Sequence, residues 1–423
     1  MKEITASDFE KEVLQGGKVV LDFYSTECPP CEALAPKFES IAKYFDGEAK
    51  FYKIFRQQSR DLADKLGVKS SPTVLFFEDG EEVGVRLSGG IRRHDLFEGM
   101  KALVGKEKVK QVKANIKPVI SEYDVAILGG GPGGLTAGLY LCQAKINAAL
   151  IDVGLPGGNV STTHMVSNYP GFIDPQPGYM LSHYMSEQTK QCGTSYKVAV
   201  DVTHVDLAKK EIVIDEFETI KAKKIIIATG TSPNFLGVPG EKELKGNGIS
   251  YCATCDAKYF GDKEVVVVGG GNSAIEEADF ITKFASKVTI VHQFDKLQAN
   301  KQAQEKAFAN KKIEFMLEHE PRGFKRLEDK VVVEVEDLKT KQKKELVTDG
   351  VFIFVGLKPN LGMFHEKIEL DNWGYIKTDE DKRTSIDGVY AVGDVSSKKY
   401  RQITTAIADG TIAAISITKE LDN

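Results

Sequence analysis

The chain has 423 residues, 42% of them hydrophobic and 28% charged, with a formal net charge of −5. That balance suits an ordinary globular chain with room for about three domains, and it argues against binding nucleic acid or an acidic membrane surface through a basic field. No apolar run reaches the length of a membrane span, Met1-Lys2-Glu3-Ile4 opens no signal-peptide core, and six cysteines are too few for a disulfide scaffold; the sequence reads as cytoplasmic, with cysteines that do chemistry.

Residues 1–105 read as a small α/β domain. Val19-Val20-Leu21-Asp22-Phe23-Tyr24 is a strand of the buried type. Cys28-Pro29-Pro30-Cys31 follows it, then a helical pattern through Ala33, Phe38, Ile41 and Ala42. Phe51–Ile54 and Val74–Phe77 are further strands, Glu78–Glu81 turns the latter into a hairpin, and a last helix covers Arg93–Val104. Residues 106–119 are charged and poor in large apolar side chains, as a linker or an exposed helix would be. About 15 such residues would span up to about 50 Å if extended.

Asp124–Leu128 opens the next region as a strand and runs into Gly129-Gly130-Gly131-Pro132-Gly133-Gly134 and an apolar helix, Leu135–Leu141. A second strand, Ala148–Ile151, ends in Asp152, about 20 residues on. This is the dinucleotide fingerprint: Gly129, Gly131 and Gly134 let backbone approach a pyrophosphate, Pro132 starts the helix that faces it, and Asp152 is placed for a ribose. The pattern recurs once, as Val265–Val268, then Gly269-Gly270-Gly271-Asn272-Ser273-Ala274, a helix from Ile275 and a strand Val288–Val291. After Val351 the chain returns to strand and turn signals and closes with a helix near Thr404–Lys419.

Two Cys-x-x-Cys pairs, Cys28/Cys31 and Cys252/Cys255, punctuate this plan. A four-cysteine zinc site is the competing reading, but each pair lies far from the other inside its own unit, so no metal is expected. Cys28 stands at a strand-to-helix transition, where a helix N-terminus favours its thiolate, and Cys31 follows one turn later. Pro29 and Pro30 remove two N–H donors and stiffen the turn. Cys142 and Cys192 have no partner spacing, and Cys142 reads as core.

Residues 1–105 resemble thioredoxin over essentially the whole domain. The resemblance implies that Cys28 and Cys31 are a redox pair, that Asp22 is a buried carboxylate aiding proton transfer to the resolving cysteine, with Lys53 near it, and that Pro72 in Ser71-Pro72-Thr73 is the cis-proline beside the cysteines. The chain departs from the family in reading Glu27-Cys28-Pro29-Pro30-Cys31 where Trp-Cys-Gly-Pro-Cys is usual, and in carrying Tyr24 where many members have tryptophan. Residues 120–423 resemble the low-molecular-weight thioredoxin reductases, on Cys252-Ala253-Thr254-Cys255-Asp256, Gly157-Gly158-Asn159, Asn168-Tyr169-Pro170-Gly171, Ile227-Ala228-Thr229-Gly230, and Gly393-Asp394 followed by Tyr400-Arg401-Gln402. That resemblance implies FAD held by Gly157, Gly158, Asn159, Asn168, Thr229, Gly230, Gly393, Asp394, Arg401 and Gln402 in addition to the fingerprint. It also implies Cys255 against the flavin, Cys252 as the attacking thiol, and Asp256 as general acid. The expected fold is α/β, a thioredoxin fold followed by two Rossmann-like, three-layer ββα dinucleotide-binding domains. Its FAD-binding domain is discontinuous, 120–237 and 355–423, and its nicotinamide-type domain, 238–354, carries Cys252/Cys255.

The nicotinamide unit departs from its family. Gly269, Gly271, Asn272, Ser273 and Ala274 keep the pyrophosphate turn, but NADPH-dependent members follow the second strand with His-Arg-Arg and a further arginine. Here the chain reads His292-Gln293-Phe294-Asp295-Lys296-Leu297-Gln298. Hydrogen bonds to a charged group are worth about 1.5–3 kcal/mol each, so losing two or three costs roughly two to four orders of magnitude in NADPH preference. Lys296 offers only a point charge in their place. No acid ends the strand either, so NADH is favoured over NADPH without a dedicated ribose ligand. Reduced ferredoxin in place of a nicotinamide, and relaxed use of both nucleotides, are the alternatives. The expected function is a fusion that passes electrons through FAD and Cys252/Cys255 to Cys28/Cys31 and on to protein disulfides, as a homodimer. A reductase dedicated to a peroxiredoxin, similar to the alkyl hydroperoxide reductase flavoprotein, is a competing reading, disfavoured because that family carries two N-terminal thioredoxin folds. A redox-sensing or docking flavoprotein without turnover is another.

Overall fold

A strand buried on both faces carries a near-continuous apolar run rather than an alternating one, and Lys18–Tyr24, broken only by Asp22 within Val19–Tyr24, is such a strand. It lies between a parallel neighbour, Lys50–Phe55, and an antiparallel one, Thr73–Glu78. Val20 joins the cluster made by Leu34, Phe38 and Ile41 of the helix Pro29–Tyr44 and by Leu96, Phe97 and Met100 of the helix Arg93–Val104. Leu21 and Phe23 point into the opposite cluster, with Phe9, Val13 and Val68. The computed structural model describes residues 2–163, 165–166 and 168–422. Among the short elements it adds to this domain, too short to show periodicity, are the strand Lys2–Ile4 and the helix Arg60–Lys65.

The charged segment after Gly105 is a helix, Lys106–Asn115. Its Val109 is buried in the thioredoxin-like core with Phe97 and Leu103. Only Ile116-Lys117-Pro118 separate it from the strand Val119–Leu128.

That strand is central in a mixed sheet ordered Ser195–Val198, Ala148–Asp152, Val119–Leu128, Glu218–Ile227, Glu211–Ile214, Val202–Asp206. The first four run parallel, Val389–Ala391 pairs parallel with Glu218–Ile227, and the last two form an antiparallel meander. The helices Pro132–Gln143 and Ile403–Leu421 cover one face through Ala137, Leu141, Ala413 and Ile417. The N-terminal domain and this sheet fall in one compact unit, Met1–Val160, Met180–Gly230 and Leu361–Asn423.

The second compact unit, Ser161–Tyr179 and Thr231–Asn360, repeats the plan. Its parallel sheet runs Ile249–Ser250, Gly350–Ile353, Glu264–Val268, Lys287–His292, Ile313–Leu317. The helices Asn272–Ile281 and Lys301–Ala309 pack on one face. A three-stranded meander, His319–Leu327, Lys330–Asp337 and Lys343–Thr348, covers the other.

Candidate active site

Both cysteine pairs are built by the same local device. Cys28 is the N-cap of the helix Pro29–Tyr44, and its sulfur accepts the Cys31 N–H at 3.3 Å. Cys252 is the N-cap of the short helix Ala253–Asp256, and its sulfur accepts the Cys255 N–H at 3.2 Å. A sulfur that already accepts a backbone N–H is favoured as thiolate. Both pairs are closed as disulfides, with Cα–Cα distances of 5.2 Å and 5.4 Å. Cys28 and Cys31 are both buried, whereas Cys252 is half-buried and Cys255 exposed.

Around Cys28 the Ser71–Pro72 peptide is cis, and the Ser71 carbonyl lies 3.5 Å from the Cys28 sulfur. Asp22 sits in the strand that leads to the pair, directly across from Lys53. It is buried, one carboxylate oxygen has no partner, and burial pushes its carboxyl up to about 7, with Lys53 opposing the shift. Such a carboxyl can take up or release a proton near neutral pH. Around Cys252, Ser250 ties the turn together: its hydroxyl donates to Asp256 Oδ2 at 2.6 Å and accepts the Cys252 N–H at 3.1 Å.

The predicted flavin residues of the first unit gather at the carboxyl ends of its parallel strands, where open α/β sheets place ligands. Gly129 leaves Leu128 with φ +110°, and a Cβ there would lie 2.3 Å from the Ala228 carbonyl oxygen. Gly158, with φ +57°, faces Gly131 closely enough that a Cβ would stand 3.0 Å from the Gly131 Cα. Asp152 accepts the N–H of Gly130 at 2.6 Å and of Gly154 at 2.7 Å, which fixes the loop that carries Gly157, Gly158 and Asn159. Thr229 and Gly230 continue the strand that ends at Ile227. Across the sheet, Gly393-Asp394 follows Val389–Ala391. Asp394 Oδ1 is buried without a hydrogen-bond partner, with the Lys398 ammonium 3.9 Å away, and burial raises its carboxyl above the usual carboxylate range against the opposing pull of Lys398. A buried acceptor with no hydrogen bond, beside a glycine cradle, fits a ligand that brings hydroxyl donors, as the ribityl chain of FAD would. Arg401 rests 3.6 Å above the Tyr375 ring with its Nε toward the Asp394 carbonyl, and Gln402 is the N-cap of Ile403–Leu421. Of the predicted flavin residues, Asn168 falls in the second unit.

In the second unit the glycine turn has the same geometry. Gly269 has φ +132°, and a Cβ there would meet the Phe354 carbonyl oxygen at 2.2 Å. Asn272 is the first residue of the following helix; Ser273 and Ala274 come next, Ala274 being buried. The turn opens on a cavity of about 300 Å³, lined by Gly269–Gly271, His292, Gln293, Gln298, His319 and Glu320 among others. None of its lining residues is a lysine or arginine. His292, at the end of its strand, is buried against Gly270, contacts the Lys296 carbonyl at 3.2 Å, and is held below the usual histidine range by burial, so it is neutral at pH 7.

Two features escaped the sequence reading. Cys142 is half-buried rather than core, and its thiol donates to the carbonyl of Cys192, which the fold brings beside it. Lys37, on the helix of the first cysteine pair, is buried. A lysine on the apolar side of a helical pattern was the available signal.

The comparisons agree with this geometry. The family described as Pyridine nucleotide-disulphide oxidoreductase matches residues 123–410. The chain belongs to that family. A thioredoxin family match covers residues 1–102, so the family's unit is fused here to an N-terminal thioredoxin domain. The chain is 43% identical to a thioredoxin reductase of Peptoclostridium litorale over 310 residues, 71% of this chain and 97% of that one. It is 42% identical to a thioredoxin reductase of Bacillus subtilis (strain 168) over 302 residues, 70% of this chain and 93% of the relative. The solved structure of Lactococcus lactis thioredoxin reductase in its FR conformation superposes with a TM-score of 0.67 at 39% identity, covering 70% of this chain and 98% of that one.

Proposed function

We propose that the chain is a self-contained thioredoxin system: electrons pass from a nicotinamide through FAD to Cys252/Cys255, then to Cys28/Cys31, and from there to protein disulfides. The observation that carries it is the pairing, in one chain, of two closed Cys-x-x-Cys disulfides with the same N-cap geometry, one on a thioredoxin domain and one in the family unit. The domains are those read from sequence: thioredoxin 1–105, connector 106–119, FAD-binding 120–237 and 355–423, nicotinamide-type 238–354. The working form is a cytoplasmic homodimer.

Bound FAD would supply the carrier that accepts a hydride and delivers two electrons to a disulfide. Gly129–Gly134 and the helix from Pro132 would cradle its pyrophosphate, Asp152 its adenosine ribose, and Asp394 its ribityl hydroxyls. Once Cys252 and Cys255 are thiols, Cys252 attacks Cys28 and displaces Cys31, forming a Cys28–Cys252 disulfide. Asp22, titrating near neutral pH, gives the departing Cys31 its proton. Cys255 then attacks Cys252 and releases Cys28 as a thiolate, with Asp256 as the acid serving this pair. Two electrons have moved, and Cys252–Cys255 is again a disulfide. Cys28 next attacks a target disulfide and Cys31 resolves it. For the donor we favour NADH, because no lysine or arginine lines the cavity beside Gly269–Gly271 to meet a 2′-phosphate, and burial holds His292 below the usual histidine range.

Anaerobic bleaching of the flavin with NADH, NADPH and reduced ferredoxin tests the donor; faster bleaching by NADPH than by NADH refutes the assignment. Cys31→Ser should trap the Cys28–Cys252 disulfide during turnover. Its absence, within and between chains, would count against direct transfer.

A further inference from the structure

The thioredoxin domain does not hang free of its own FAD-binding domain. Lys37 is 5% exposed and directs its ammonium at three carbonyl oxygens: Ile91 of its own domain at 3.2 Å, and Val198 at 2.8 Å and Ala199 at 2.7 Å across the junction. An ammonium has three N–H donors, so this one is fully satisfied only while the two domains touch. Burial pushes Lys37 down to about 8, with Asp215 opposing, so it is charged at neutral pH.

The surrounding charges are complementary. Arg92 meets Asp201 at 2.8 Å, Arg93 meets Asp215 at 3.8 Å, and Lys113 meets Glu216 at 3.2 Å. Glu32, next to Cys31, pairs with Lys190 in the opposite sense. A hairpin supplies the apolar contact. Phe217 is 8% exposed and enters the thioredoxin core cluster, 5.9 Å from the Phe97 ring, with Lys113 beside both rings. The residues that present it, Asp215 and Glu216, have φ of 52° and 66°, and Ala199, whose carbonyl receives Lys37, has φ 51°.

This surface stands beside the redox pair. A Cβ on Gly90 would lie 3.9 Å from Leu155 of the FAD-binding domain. A cavity of about 380 Å³ at the junction is lined by Pro29, Glu32 and Ala33 on one side and Leu155 and Pro156 on the other. Pro29, next to Cys28, shares this cavity with Leu155 and Pro156, so a protein that covers the residues following Cys28 meets the FAD-binding domain there.

We propose that the strip Leu155–Pro156, Val198–Asp201 and Asp215–Phe217 is a docking surface for the chain's own thioredoxin domain, and that target proteins compete with it for the face beside Cys28. The inference rests on Cys28/Cys31 being the pair that meets target proteins, and it makes undocking a step in every turnover.

The test uses the full chain, reduced with dithiothreitol and desalted, in single turnover. Oxidation of Cys28 is followed by mass spectrometry with excess insulin and, separately, with a small aromatic disulfide. Lys190→Glu combined with Asp201→Arg turns two attractive pairs repulsive. It should speed the reaction with insulin by about tenfold while leaving the small disulfide, which needs no open face, within about twofold of wild type. Adding Arg92→Asp to Asp201→Arg restores one pair with reversed signs and should return the insulin rate toward wild type. Wild type itself should accelerate with insulin as salt screens the pairs. Equal insulin rates for wild type and the charge-reversed variant at every salt concentration would overturn the proposal. So would a variant effect of the same size on the small disulfide, which would mark altered thiol chemistry. Absence of insulin reduction in every arm would overturn the reading of Cys28/Cys31 as the outlet, and this inference with it.

Discussion

Replacing Asp22 by asparagine should stabilise the thioredoxin domain at alkaline pH and slow its chemistry. Asp22 is 6% exposed, one of its oxygens has no partner, and burial holds its carboxyl at about 7. In an unfolded chain an aspartate titrates near 3.9. The folded state therefore binds this proton more tightly than the unfolded state. The stability it contributes is fully present below about pH 4 and is lost as pH rises through about 7. A gap of about three pKa units corresponds to roughly 4 kcal/mol, the upper end of what Asp22→Asn can recover at pH 8.5. Asparagine keeps the shape but never ionises, so near pH 4 the two proteins should match. Hydrogen exchange of peptides from the strand Lys18–Tyr24, read in the oxidised full chain, reports the opening free energy of this region directly. At pH 8.5 the variant should exchange far more slowly than wild type, and at pH 4 the difference should nearly vanish. If Asp22 protonates Cys31 as proposed above, the same variant should also reduce insulin more slowly. A stability gain that is equal at both pH values, or absent at both, would refute the reasoning.

Restoring cationic donors beside the second glycine turn should convert the nucleotide preference: Gln293→Arg with Gln298→Arg, both lining the cavity, should raise the rate of flavin reduction by NADPH roughly ten- to a hundredfold and leave NADH nearly unchanged in stopped-flow bleaching. Gly129→Ala should purify with little flavin, seen as lost visible absorbance, since its Cβ would stand 2.3 Å from the Ala228 carbonyl oxygen at a φ of +110° that alanine rarely adopts.

What the sequence disclosed follows from how local each signal is. Both glycine turns were legible because a strand, a close backbone approach and a helix start follow one another within a few residues, and the structure gives Gly129 and Gly269 nearly the same surroundings. The strand Lys18–Tyr24 was legible because burial on both faces leaves an apolar run broken only at Asp22. The loss of the arginine pattern at Gln293 and Gln298 was visible in the letters, whereas the burial that keeps His292 neutral is a property of the packed cavity. The helix Lys106–Asn115 read equally well as a linker, because its apolar stripe is little more than Val109 and Val112, and tertiary packing decided the matter. The contact of Lys37 with Val198 and Ala199 joins residues about 160 positions apart, and no pattern in a single sequence announces a pairing of that range.

That helix sets how far an undocked thioredoxin domain can travel. Undocking breaks Lys113–Glu216 and withdraws Phe217, but Val109 remains in the domain's own core, so the helix leaves with the domain. The pivot is then Ile116-Lys117-Pro118, which spans about 10 Å when extended, against the roughly 50 Å that the whole segment from 106 would give as a coil. A short, stiff tether raises effective concentration only for the few positions it can reach, and excludes the others. On the proposed relay, the domain meets Cys252 by a restricted swing in its own chain or by reaching a second subunit. Inserting a flexible Gly-Ser segment of about eight residues after Lys117 separates the two routes. If the swing limits turnover within one chain, the insertion should speed insulin reduction independently of protein concentration. If transfer runs between chains, mixing Cys28→Ser with Cys252→Ser protein should restore activity in hybrid dimers, and the insertion should change little. Slower turnover with the insertion, and no complementation, would mean that the three-residue pivot itself aligns Cys28 with Cys252.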